Sequence, residues 1–195
     1  MSSMGALRWL TWGCLLPFPL IVIRLQEVQA GYQPSQQYMS ELALGPGGQW
    51  MLPAFVSLGL ACIGNALHLY RRRIPWFLAA LPGLAGICFC GAGWHTLATA
   101  ADWHIAWIAA AFVLAALGMY LLPRLCPTLG DTLSRLCCWG PALLMLGSTA
   151  LSDILLPAGT AQRLAALALL SWLALLAWRL DRPGAPSPPA ASPVG

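Results

Sequence analysis

The 195-residue chain contains no lysine, and only 8% of its positions carry charge. A soluble domain has roughly 25% charged residues. Ten arginines and six acids cannot supply a polar shell for a chain that is 59% hydrophobic with mean hydropathy +0.71. A soluble globular fold is excluded on that ground, and the bilayer must be the outer solvent. The motifs H-E-x-x-H, G-x-S-x-G and C-x-x-C are also missing, so no familiar hydrolase, protease or redox signature is in place. No internal repeat is apparent, which removes the usual mark of a transporter. No nucleic-acid partner is expected.

What is present is a series of apolar runs. A span of roughly 30 Å of hydrocarbon needs about 20 residues. Six such runs cover approximately residues 7–25, 50–70, 75–97, 103–122, 136–156 and 164–180, with tight connections at Arg71 to Arg73 and Ala98 to Asp102. The expected fold is an all-α integral membrane protein of six transmembrane helices, one domain over residues 1–180. A rival reading makes the first run a signal peptide cleaved after Val28-Gln29-Ala30, but Pro17, Pro19 and its spanning length favour a retained helix. The tail, residues 181–195, has five prolines and is expected to be disordered.

Arginine placement sets the expected orientation. With the N-terminus in the cytoplasm, Arg8, Arg71, Arg72, Arg73, Arg124, Arg135, Arg179 and Arg182 fall inside, and Arg24 and Arg163 outside. Both termini are then cytoplasmic, in a cell membrane that reads as a bacterial inner membrane. Trp9, Trp50, Trp76, Trp103 and Trp178 lie at span ends, the headgroup level that indole prefers. The seven cysteines lie within spans or on the reducing side, and no spacing among them makes a disulfide framework or a zinc site.

Against this apolar background the stretch GYQPSQQYMSELALGPGG, residues 31–48, stands out. Ser35 suits a helix start, Gly45-Pro46 suits a stop, and Tyr38, Met39 and Leu42 make an apolar face. These signals predict a short extracytoplasmic interfacial helix between the first and second spans, forming a lid or rim. Other polar groups converge on the same level. His95 ends the third span, Asp102 and His104 open the fourth, and Gly147-Ser148-Thr149-Ala150-Leu151-Ser152-Asp153 closes the fifth. Ionisable groups in hydrocarbon are costly and therefore concentrate at sites that satisfy them. The candidate outer polar site is Tyr32, Ser40, Glu41, His95, Asp102, His104, Asp153 and Arg163.

Gly31-Tyr32, Gln36-Gln37-Tyr38 with Ser40-Glu41-Leu42, and a last span opening Gly159-Thr160-Ala161-Gln162-Arg163-Leu164 and running through Trp172 to Leu180 resemble the DUF998 family of six-span membrane proteins. The resemblance covers nearly residues 5–180. It implies the six-span fold and no particular activity. His104 matches a histidine that many members carry early in the fourth span. Phe89-Cys90-Gly91-Ala92 stands where many have a Phe-Pro-x-Asp-like segment.

Three functional readings follow. The polar cluster binds a small or lipidic ligand; alternatively, it serves a membrane lipid hydrolase or transferase through its histidines and carboxylates, with a metal held by His95 and His104; or it is a structural cluster without a ligand. Haem is not expected, because His68 sits at the opposite end of the bundle from His95 and His104. The partner common to all three readings is the lipid bilayer.

Overall fold

A computed structural model describes residue 9, residues 11–126 and residues 129–181. The proline-rich tail, Arg8 and Arg182 lie outside the described residues. Helices account for nearly all of the rest: α1 (Pro17–Val28), α2 (Met51–Arg71), α3 (Trp76–Trp94), α4 (Leu97–Leu125), α5 (Thr132–Ala150) and α6 (Ala158–Asp181). Two short 3-10 helices, η1 (Met39–Leu44) and η2 (Gly48–Trp50), lie between α1 and α2.

Local sequence explains the boundaries. Residues 11–15 are also helical, but the helix breaks at Leu16, because Pro17 and Pro19 bring no N–H to continue the ladder. Pro75 precedes α3 and fixes its entry. The expected gap at Ala98 to Asp102 is shorter in the structure. Thr96 and Thr99 form a capping box that starts α4 at Leu97, with a kink at Ala100. Ala100 leaves helical geometry at φ −160° and ψ 73°, so the capped turn at Leu97 and the long apolar helix beyond are two helical pieces meeting at that kink. The expected helix around Tyr38 is a 3-10 helix starting at Met39, its Glu41 carboxylate accepting the Tyr38 N–H at 2.9 Å.

Among the described residues four helical segments, Gly48–Arg71, Trp76–Trp94, Leu97–Leu125 and Ala158–Leu180, are long and apolar enough to cross a membrane. The chain is therefore a multi-pass helical membrane protein. Of the other two expected spans, α5 is diluted by Arg135, Gly140-Pro141 and its terminal Ser148-Thr149, and α1 has 12 residues as a continuous helix. Leu20, Ile23, Leu67, Trp76, Ile87 and Leu143 project outward, exposed, as an apolar outer solvent allows.

Packing inside uses small residues. A Cβ on Gly59 would lie 2.6 Å from the Gly86 carbonyl, and one on Gly86 would lie 2.5 Å from the Gly59 carbonyl. The α2 and α3 backbones therefore touch, the close approach that drives helix association where lipid supplies no hydrophobic contrast. Asn65, fully buried in α2, donates to the Leu173 carbonyl of α6 at 3.2 Å. Trp172 fills the centre against Gly118 of α4. At the end of the bundle away from η1, Asp131 caps α5 through Ser134 and pairs with Arg179 of α6 at 2.5 Å.

Candidate functional site

The polar stretch is strapped to the first turns of α6. Gly159 lies directly beneath the Pro34 and Gln37 carbonyls, where a Cβ would collide. Thr160 N–H donates to the Ser35 carbonyl at 3.0 Å, and Met39 N–H donates to Gln162 Oε1 at 2.5 Å. Arg163 donates from Nη1 to the Gln37 and Gly159 carbonyls at 3.2 and 2.9 Å, and from Nη2 to the Tyr32 hydroxyl at 2.9 Å. Tyr32 has one proton to give, and the Tyr38 carbonyl at 2.9 Å is the nearer acceptor than that of Gln37 at 3.2 Å. Burial raises the Tyr32 phenol above its ordinary pKa, with Arg163 opposing, so this donor stays protonated at neutral pH. From the α1 side, the buried Gln29 amide donates to the Leu42 and Pro46 carbonyls at 2.8 and 3.0 Å. Both ends of the stretch are thus fastened by side chains to its backbone.

Held this way, η1 roofs a cavity of about 710 Å³ between α4 and α5. Its long wall is apolar: Ile105, Ile108, Phe112 and Val113 of α4 face Leu146 of α5. Its roofed end is polar, with Tyr38, Ser40, Glu41, Thr149, Ser152, Asp153 and Gln162. Tyr38 OH donates to Asp153 Oδ2 at 3.3 Å and closes the roof onto the end of α5. Ser152 donates to the same oxygen at 3.2 Å. Asp153 holds φ of 60°, a left-handed conformation that Asp and Asn tolerate better than most residues.

His104 belongs to this wall and is only 3% exposed. Its Nδ1 lies 2.8 Å from the Ala92 carbonyl and 2.9 Å from the His95 carbonyl. Two acceptors there require Nδ1 to carry the proton. The Nε2 atom, on the ring edge away from those carbonyls, is buried and has no hydrogen-bond partner among the described residues. In the neutral imidazole it is an acceptor. An unsatisfied buried polar atom costs about 1–3 kcal/mol.

Of the residues expected at the site, Ser40, Glu41, His104 and Asp153 line one cavity. Tyr32 and Arg163 stand behind it and brace the roof. His95 and Asp102 lie apart from that wall. His95 Nδ1 is 3.2 Å from both the Trp107 indole N–H and the Gly91 carbonyl; because the indole only donates, Nδ1 accepts there. Asp102 is exposed on the first turns of α4. Among the described residues no group of three or more His, Cys, Asp and Glu is placed to hold a metal. Sequence reasoning passed over Tyr38 and Gln162 as site residues, although both lie within the two polar segments already singled out.

The model of the family described as protein of unknown function (DUF998) matches residues 14–179. No curated protein and no solved structure matches the chain.

Proposed function

The chain belongs to the DUF998 family, and from its roofed cavity we propose that it is a membrane protein that holds one amphipathic molecule between α4 and α5. The observation that carries this reading is the division of the cavity: an apolar wall at Ile105, Ile108, Phe112 and Val113 leading to a polar end at Ser40, Glu41, His104 and Asp153. About 710 Å³ is within the usual range for a small-molecule site. The finer membrane architecture goes with it. All six helices span, η1 lies at the outer interface, and both termini are cytoplasmic, as supported by the excess of arginine on one side.

A second reading is supported by His104. With Nδ1 fixed on two carbonyls, Nε2 is the basic nitrogen of the neutral ring, and Ser40 lines the same wall. On that reading the bound lipid is also cleaved or transferred.

Native mass spectrometry of the protein purified in a mild detergent tests both. The expected result is a retained amphiphile on the natural chain and its loss from Ala109→Trp, which fills the cavity. The same lipid complement on both proteins would refute occupancy. A shortened or rearranged lipid on incubation, absent in His104→Gln, would favour the enzyme.

A further inference from the structure

Resting on the binding reading above, we infer that the head group held at the polar end is a cationic amine that donates hydrogen bonds, rather than a phosphate, sulfate or carboxylate. Among the described residues the cavity wall carries two carboxylates, Glu41 and Asp153, and no arginine; the chain has no lysine. The nearest cation in sequence to that wall, Arg163, is engaged by the Gln37 and Gly159 carbonyls and the Tyr32 hydroxyl. An anion entering beside two carboxylates in a low-dielectric cleft would be repelled.

Hydrogen-bonding capacity points the same way. The donors at the polar end are mostly engaged within the protein: Tyr38 OH and Ser152 OH on Asp153, and Thr149 OH on the Met145 carbonyl at 2.8 Å. Gln37 Nε2 donates to Glu41 Oε2 at 3.2 Å. The Ser40 hydroxyl and the Gln162 amide are the remaining donors on the wall. What is left in excess is acceptors, the carboxylate lone pairs on Glu41 and Asp153. A primary ammonium has three donors and no acceptor, which complements that set. A single alkyl chain along Ile105, Ile108 and Phe112 completes the match.

The test uses the full chain in phosphatidylcholine nanodiscs, titrated with single-chain amphiphiles of equal length: an alkylamine, an alkyltrimethylammonium, an alkyl sulfate and an alkyl glucoside. Binding is read by native mass spectrometry, with Ala109→Trp as the blocked control. The alkylamine is expected to bind at least tenfold tighter than the sulfate and several-fold tighter than the trimethylammonium, which carries charge without donors. Glu41→Gln and Asp153→Asn should each reduce the amine preference several-fold. Asn tolerates the positive φ, and Gln still accepts the Tyr38 N–H although it gives up the bond from Gln37 Nε2, so Gln37→Ala serves as the control for that loss. Equal or tighter sulfate binding that Ala109→Trp abolishes would overturn the amine inference and leave the binding reading standing. Equal amine and trimethylammonium binding would overturn hydrogen-bond donation. If Ala109→Trp leaves the binding of all four unchanged, the cavity reading itself fails.

Discussion

Arg163→Met should weaken the whole outer end of the bundle, because Arg163 ties the 31–48 stretch to α6. The guanidinium donates to Gln37 O at 3.2 Å and to Tyr32 OH at 2.9 Å across that junction, and to its own helix at Gly159 O. A hydrogen bond from a charged donor contributes about 1.5–3 kcal/mol. The two crossing bonds set an upper figure that partial exposure and the retained Tyr32 bond to the Tyr38 carbonyl bring down to about 2 kcal/mol. Methionine keeps the apolar stem and removes the donors. For a protein of this length, a loss of that size lowers Tm by about 4–8 °C. The control is Arg24→Met, whose ion pair with Glu27 at 3.1 Å has side chains 71% and 59% exposed and should matter by less than about 0.5 kcal/mol. Thermal unfolding in one detergent compares them. Equal shifts for the two variants would refute the idea that the stretch is held by Arg163.

Three further outcomes are expected. Gly86→Ala should destabilise the protein by about 1–3 kcal/mol through the backbone contact with Gly59, whereas Gly147→Ala, with nothing within 4 Å, should be neutral or stabilising in the same melts. The Asp131 carboxyl is held below its ordinary range by hydrogen bonds from Ser134 and by Arg179. Its contribution is therefore fully present above about pH 4 and lost as pH falls through the depressed value, so the natural chain should lose its Tm advantage over Asp131→Asn only in acid; an advantage unchanged through that range would contradict the assignment. An alkaline phosphatase fused after Gly48 should be active and one fused after Arg73 silent, with the reverse pattern inverting the topology.

Much of this was legible in the residues. Run length and hydropathy locate the apolar helices because hydrocarbon demands them, and the segment Gly159 to Arg163, singled out by resemblance, proves to be the seat of the polar stretch. Glu41, His104 and Asp153 were legible as outlying ionisable groups in a chain with few of them. Their common cavity was not, since it depends on how far α4 and α5 stand apart, and no periodicity encodes that gap. The connection expected at Ala98 to Asp102 survives as a kink at Ala100, and the Thr96–Thr99 capping box that starts a helical turn ahead of it was not read from the sequence. His95 and Asp102 shared a level with the site by sequence, yet His95 is drawn off by Trp107 and Asp102 stays at the surface. Level along a helix is readable from sequence; rotation around it depends on the partners.

The most direct measurement is an experimental structure of the full chain in lipid nanodiscs. Density for an acyl or alkyl chain along Ile105, Ile108, Phe112 and Val113, ending in a head group within hydrogen-bond distance of Glu41 or Asp153, is the predicted result. A closed contact between α4 and α5, with Glu41 and Asp153 bonded only within the protein, would contradict the account, and the cluster would then be structural.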